Sequence, residues 1–230
     1  MKELTEHLAK FMTPVRKEKF ERVLENRTRY ITVVLEDIFQ PFNASAALRT
    51  CDCFGIQDVH IIENQNEYTV NPYVTLGATK WLSLNRYNQT EHNTENAIKA
   101  LKTDGYRIVA TTPNINSTML YDFDLSKGKT AVLFGTEASG LSDVALHNAD
   151  EFLQIPMYGL TGSYNISASV AMILYALSTQ LRHSTINWQL TPQEAAEIHL
   201  KWLKESVDRS EVIERDFYKR TTMEGYRLRD

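Results

Sequence analysis

Between residues 30 and 182, short apolar runs alternate with longer stretches in which apolar residues recur every three to four positions. The first pattern is that of a buried strand, the second that of a helix with one face in a core. Strands are predicted in "YITVVLEDI" (30–38), "DVHII" (58–62), "YRIVATT" (106–112), "TAVLFG" (130–135) and "EFLQIP" (151–156), with a shorter one in "WLSLNRY". Helices are predicted in "NASAALRTCDCFG" (43–55), over 92–104, in "SDVALHNA" and over 163–182, the last nearly all apolar. Asn43 stands where a helix cap is expected, and Gly55 where a helix closes. Strands alternating with helices predict an α/β fold, a mostly parallel sheet with helices on both faces. Outside this core the pattern is helical and charged. Residues 2–11 and 14–27 form two helices, with Thr13 as cap and Pro14 in the first position, and helices follow Thr191. The expected division is an N-terminal helical extension (1–29), the α/β core (30–182) and a C-terminal helical extension (183–230).

Composition narrows the class. A chain of 230 residues, 43% hydrophobic and 23% charged, can bury a sizeable core. No apolar run approaches the roughly 18 residues a membrane span needs. "MKELTEHLAKF" has neither the apolar centre nor the cleavage site of a signal peptide, so a cytoplasmic location is expected. Cys51 and Cys53, the only cysteines, diverge on a helix and close poorly into a disulfide; they are expected to face a core. No second Cys/His cluster completes a zinc site, and no metal is expected. The net charge of −4 argues against bulk attraction to nucleic acid. Residues 16–29 and the tail 219–230 are nonetheless locally basic. Arg16, Lys17 and Lys19 are therefore either a solvated helix face or part of a phosphate-binding patch.

Candidate chemistry lies where an open sheet binds its ligands, beyond the carboxyl ends of the strands. Three polar loops stand there: "DIFQPFNASAALRT", "LFGTEASGLS" and "IPMYGLTGSYNIS". No G-x-G-x-x-G follows the first strand, and "GKT" (128–130) has Phe123 where a phosphate-binding loop needs glycine. In the second loop Gly135 and Gly140 allow sharp turns and close backbone approach, with Glu137 between them. In the third, Gly159 and Gly162 expose backbone, and Ser163 and Asn165 stand ready to cap the next helix. In the first, Arg49 either pairs with Asp52 on the helix surface or presents its planar fork to a phosphate.

Taken in order and spacing, "NASAALRTCDCFGI", "LFGTEASGLS" and "IPMYGLTGSYNISASVAMILYAL" resemble the three motifs of the SpoU/TrmH group of SPOUT RNA 2′-O-methyltransferases. The resemblance spans roughly residues 12 to 182, and the N-terminal segment and charged tail look most like the group's tRNA guanosine-18 enzymes. It implies a trefoil knot made by the last strand, loop and helix, and S-adenosylmethionine folded within it. It implies a homodimer packed through the first-motif and last-motif helices. It also implies methylation of a tRNA ribose, guanosine 18 of the D-loop, with rRNA or the wobble nucleotide as the alternative substrate and a catalytically inactive RNA-binding protein as the alternative of another class. Arg49 would be essential near the acceptor, with Asn43, Glu137, Ser163 and Asn165 around it. Thr112, Gly135, Ile155 and Tyr164 would hold the donor, and Arg16, Lys17 and Lys19 would meet RNA. Tyr164 stands where the group commonly carries Leu.

Overall fold

The computed structural model describes residues 1–113 and 116–227. The chain divides into two compact units, residues 28–188 and residues 1–27 with 189–230.

In the larger unit the strands are β1 (Ile31–Glu36), β2 (Asp58–Ile62), β3 (Ser83–Tyr87), β4 (Arg107–Thr111), β5 (Thr118–Met119), β6 (Thr130–Phe134) and β7 (Glu151–Gln154). They form one sheet in the order β3-β2-β1-β6-β4-β7-β5, and every pairing is parallel. At its centre Val33 registers with Val59 on one side and Val132 on the other. Successive residues of these central strands enter different cores. Val33, Leu35, Val132 and Phe134 pack beneath α3 (Pro41–Cys53) and α7 (Ile166–Arg182). Val34, Ala131 and Leu133 pack beneath α5 (Asn93–Thr103) and α6 (Asp143–Asn148). A sheet covered on both faces needs apolar residues at odd and even positions alike, which is why the strands read as unbroken apolar runs.

The local boundaries differ from expectation in instructive ways. The helix of the first motif begins at Pro41, with Gln40 in the cap position, because proline's fixed φ and missing N–H suit a first turn. Asn43 therefore lies inside that turn and leaves its side chain for other work. The long helix starts at Ile166 rather than 163. Asn165, not Ser163, caps it, accepting from the N–H groups of Ser167 (2.9 Å) and Ala168 (3.4 Å). Cys51 is buried, but Cys53 is exposed. The short helix α4 (Pro72–Thr75), a single helical turn over Ala78–Lys80 and the two-residue β5 carry too little periodic pattern to be foreseen.

The smaller unit contains α1 (Lys2–Ala9), α2 (Pro14–Leu24), α8 (Pro192–Ser206) and α9 (Ser210–Arg227). Thr13 caps α2 as expected, and Thr191 with Glu194 forms a reciprocal capping box on α8. Leu4, Leu8, Phe20, Ile198, Trp202 and Leu203 are buried, and the Phe20 and Trp202 rings meet edge to face at 5.4 Å. Of the basic tail 219–230, residues 228–230 lie outside the described residues. Among the described residues no helix is long and apolar enough to cross a membrane.

Candidate active site

A cavity of about 330 Å³ opens beyond the carboxyl ends of β4, β6 and β7. Its walls are the segments 111–113, 134–141 and 153–157, with 162–164 and the first two turns of α7 completing it. Thr112, Gly135, Ile155 and Tyr164 all line it, as do Glu137 and Ser163. The volume falls within the range of small-molecule sites.

Close backbone packing shapes one wall of the cavity. A Cβ on Gly135 would lie 2.1 Å from the carbonyl oxygen of Gly140 and 2.3 Å from the nitrogen of Leu141. Only glycine fits there. Thr136 and Gly140 exchange backbone hydrogen bonds at 2.9 and 3.0 Å, and Gly140 takes a left-handed φ of 72° to close the turn. The far end of this loop is fixed by Glu36, the last residue of β1. Its buried carboxylate accepts from the Ser142 N–H (2.8 Å), the Ser142 hydroxyl (2.7 Å) and the Thr94 hydroxyl (2.6 Å). Sequence reasoning missed Glu36. The available signal was an acidic residue closing the apolar run Val33–Leu35.

On the third wall, the Tyr164 hydroxyl donates to the Pro156 carbonyl at 3.1 Å, cinching the loop between them. The Thr112 N–H donates to the Leu153 carbonyl at 3.1 Å, joining the ends of β4 and β7. Ile155 packs against the core at its root.

Beside the cavity three residues from the three loops meet. The Asn43 side-chain amide donates to Glu137 Oε1 at 2.8 Å, and that of Asn165 donates to the same oxygen at 2.7 Å. The Asn165 amide also reaches Asn43 Oδ1 at 3.1 Å. Asn43 further donates to Gln40 Oε1 at 3.1 Å. One carboxylate oxygen thus gathers two amides separated by 122 residues of chain. Arg49 lies farther along α3 and is exposed. Its neighbour on the preceding turn, Ser45, is buried and accepts from the Asn71 N–H at 2.8 Å. Ser45 therefore fastens the 71–80 segment to α3 and leaves Arg49 in solvent.

Arg16, Lys17 and Lys19 belong to the smaller unit, on α2. Arg16 and Lys19 are exposed and Lys17 half-buried. The Arg16 guanidinium stands 5.8 Å from the Phe20 ring centroid and donates to the Ser206 hydroxyl at 3.4 Å. Among the described residues no three His, Cys, Asp and Glu side chains gather as a metal-ligand set.

A wholly parallel open sheet, with a cavity and a carboxylate–amide cluster at its carboxyl edge, defines a ligand-binding α/β enzyme domain. The chain belongs to the SpoU methylase family: residues 30–175 match the sequence model described as the SpoU rRNA Methylase family. It is 46% identical over 207 residues to the tRNA (guanosine(18)-2′-O)-methyltransferase of Borreliella burgdorferi, covering 90% of this chain and 93% of that protein. Its fold is similar to that of the Aquifex aeolicus TrmH/SpoU tRNA-modifying enzyme, with a TM-score of 0.74 at 27% identity over 85% of this chain and all of that one. The SpoU methyltransferase AviRb from Streptomyces viridochromogenes, solved in complex with AdoMet, shares the fold with a TM-score of 0.59 at 22% identity, over 71% of this chain and 65% of that one.

Proposed function

We propose that this protein transfers a methyl group from S-adenosylmethionine to the 2′-oxygen of guanosine 18 in tRNA, in the cytoplasm. The observation that carries this reading is the meeting of Asn43, Glu137 and Asn165 beside a cavity whose wall tolerates only glycine at 135. The identity to the guanosine-18 enzyme over nine-tenths of the chain selects tRNA over rRNA as substrate.

The residues fit the donor. Apolar Leu141, Ile155, Met157 and Ile166 offer contact to a flat heterocycle, and the glycine-rich backbone offers N–H and C=O groups for its edge. Gly135, Thr112, Ile155 and Tyr164 would hold it. When bound, S-adenosylmethionine supplies an electrophilic methyl on a sulfonium. The chain's own task is to orient the acceptor and ease loss of its proton. Glu137 fixes the amides of Asn43 and Asn165, so the polar wall keeps one geometry as the ribose arrives. Ser163 adds a hydroxyl at the cavity edge. Arg49 extends into solvent with its planar fork available, suited to hold an RNA phosphate and stabilise negative charge developing on the 2′-oxygen. A guanidinium does not give up its proton in proteins, so it is not assigned the role of base.

Two further features belong to this reading. The first is a trefoil knot. β7 lies between β4 and β5, and those two strands are joined by residues 112–117 alone. The last strand is thus inserted between two strands that precede it in the chain, the arrangement a knot requires. The second is a homodimer. Ala168, Met172, Tyr175 and Thr179 form a face of α7 turned away from the core, with Tyr175 64% exposed against the Phe54 ring. Burying such a face favours self-association. Sedimentation at nanomolar concentration checks it; an active monomer there would refute the dimer.

The decisive experiment for function treats unmodified tRNA transcript and, in parallel, rRNA with the protein and labelled donor, then maps ribose methylation. A single 2′-O-methyl group at guanosine 18 is expected. Label confined to rRNA, to the wobble nucleotide, or to no RNA would overturn the proposal.

A further inference from the structure

The turn from β1 into α3 holds two aromatic rings in water. Phe39 is 74% exposed and Phe42 63%, while Ile38 before them is buried at 8%. The backbone that carries them is pinned. Asp37 takes a left-handed φ of 53° and donates its N–H to the Ile62 carbonyl at 2.9 Å. Its Oδ1 accepts from the N–H groups of Asn64 and Gln65 at 2.7 and 2.9 Å. At the other end Pro41 opens α3, and the Gln40 carbonyl accepts from the Asn43 and Ala44 N–H groups at 3.0 and 3.2 Å. The rings are therefore held outward by a short, anchored segment rather than trailing from a loose loop.

Their surroundings point to one kind of occupant. Phe42 immediately precedes Asn43, whose amide is bonded to Glu137, and Arg49 follows two turns along the same helix. Exposed rings that share a helix and its entry turn with a guanidinium two turns on and with the residue that bonds Glu137 suit a nucleotide, which has a flat face, polar edges and a phosphate. Single-stranded loops are read this way, by stacking splayed bases on aromatic side chains. The face suited to self-association lies at the other end of α3: Tyr175 meets Phe54, twelve residues beyond Phe42, or about 18 Å at the helical rise.

We propose that Phe39 and Phe42 are a stacking platform for unpaired tRNA bases beside the nucleotide whose ribose is methylated. This rests on the reading of the site as a tRNA 2′-O-methyltransferase. The platform supplies position: bases held on the rings carry the neighbouring ribose to the Asn43–Glu137–Asn165 cluster and its phosphate to Arg49.

The test places Ala, Leu and Trp at each of the two positions in the full chain. Leucine keeps the apolar bulk that packing against protein requires but has no ring. Binding of unmodified tRNA transcript, KM for that tRNA, donor affinity by calorimetry and sedimentation are measured together. Phe39→Ala, Phe42→Ala and both Leu variants should weaken tRNA binding and raise KM about tenfold or more. Both Trp variants should restore wild-type values, with donor affinity and sedimentation unchanged throughout. Leu variants equal to wild type, or Ala variants that lose donor affinity or change their assembly, would overturn the platform. If tRNA binding depends on the rings but the wild type transfers no methyl, the platform stands and the proposed activity falls. If all variants methylate tRNA equally well, the activity stands and the platform falls.

Discussion

The side-chain amide of Asn165 donates to Glu137 at 2.7 Å, joining the cap of α7 to the loop after β6. Asn165 thus does two things at once. Its carbonyl oxygen caps the helix while its amide faces the carboxylate. Glu137 also takes the Asn43 amide. Removing the carboxylate leaves both amides without that acceptor, held only by the weaker Asn165–Asn43 and Asn43–Gln40 contacts of 3.1 Å. We expect Glu137→Ala to lower turnover about a hundredfold, by analogy with loss of a preorganised polar group. Donor affinity should change far less. Stopped-flow or quenched single turnover on tRNA, beside donor calorimetry, checks the split; equal losses in both would mean that Glu137 shapes the donor cavity instead.

Gly135→Ala addresses the cavity wall. The added methyl would sit 2.1 Å from the Gly140 carbonyl oxygen, which is backbone and cannot swing aside. The 136–140 turn must then move, and Glu36 holds its far end through Ser142. A loss of about 1–3 kcal/mol in stability is expected from such overpacking. Donor binding should fall below detection. Melting curves and calorimetry in the presence of chelator test this together with the expectation that donor binding needs no metal. An alanine variant that binds donor normally would show that the turn is softer than its hydrogen bonds indicate.

His60 sets a pH limit on the fold itself. It lies on β2, 6% exposed, with Nδ1 3.0 Å from the Tyr87 hydroxyl on β3. Burial disfavours its charged form and lowers its pKa from 6.5 to about 4; Asp104 opposes this more weakly. Between those values the unfolded chain binds the proton and the folded chain does not. Stability from this group is therefore complete above pH 6.5 and is lost as the pH falls toward 4. The full effect is on the order of 3 kcal/mol. Denaturant titrations at several pH values should show wild type losing stability across this window and His60→Leu losing less. Parallel pH profiles for the two proteins would remove His60 as the cause.

Much of this was readable from the chain. The central strands declared themselves because both faces of the sheet are covered, so Val33, Val34 and Leu35 are all apolar. The three polar loops were legible because glycine and amide residues between two core elements have no packing reason to be there. What stayed hidden was pairing. Nothing in the local pattern says that Asn43 would bond to Glu137, 94 residues on, rather than cap its own helix. Nor does it show that Ser45 would be buried against Asn71 while Arg49, one turn away, stays in solvent. Such relations depend on strand order, and strand order has no signature in periodicity. β7 between β4 and β5 is the clearest case.

The remaining prediction separates chemistry from attraction, since Arg49 and the α2 residues Arg16, Lys17 and Lys19 are both candidates for meeting RNA. Arg49 stands on the helix that carries Asn43, next to the candidate acceptor site. Arg16, Lys17 and Lys19 stand in the other unit, on a helix with no part in the cavity. Arg49→Ala should nearly abolish turnover while donor affinity is kept, lowering kcat and kcat/KM together, as removal of an interaction made only in the transition state does. Arg49→Lys should recover little, because a point charge does not replace the two-pronged fork. Replacing Arg16, Lys17 and Lys19 with Gln should instead weaken tRNA binding and flatten its salt dependence by about 0.7–0.9 in log–log slope for each phosphate no longer neutralised. Turnover at saturating tRNA should stay near the wild-type value. Single-turnover kinetics with enzyme in excess, repeated across a salt series, reads both effects in one experiment. If Arg49→Ala methylates at the wild-type rate, the guanidinium has no role in the transition state. If the triple variant binds tRNA like wild type at every salt concentration, α2 presents a solvated face and the RNA is held elsewhere.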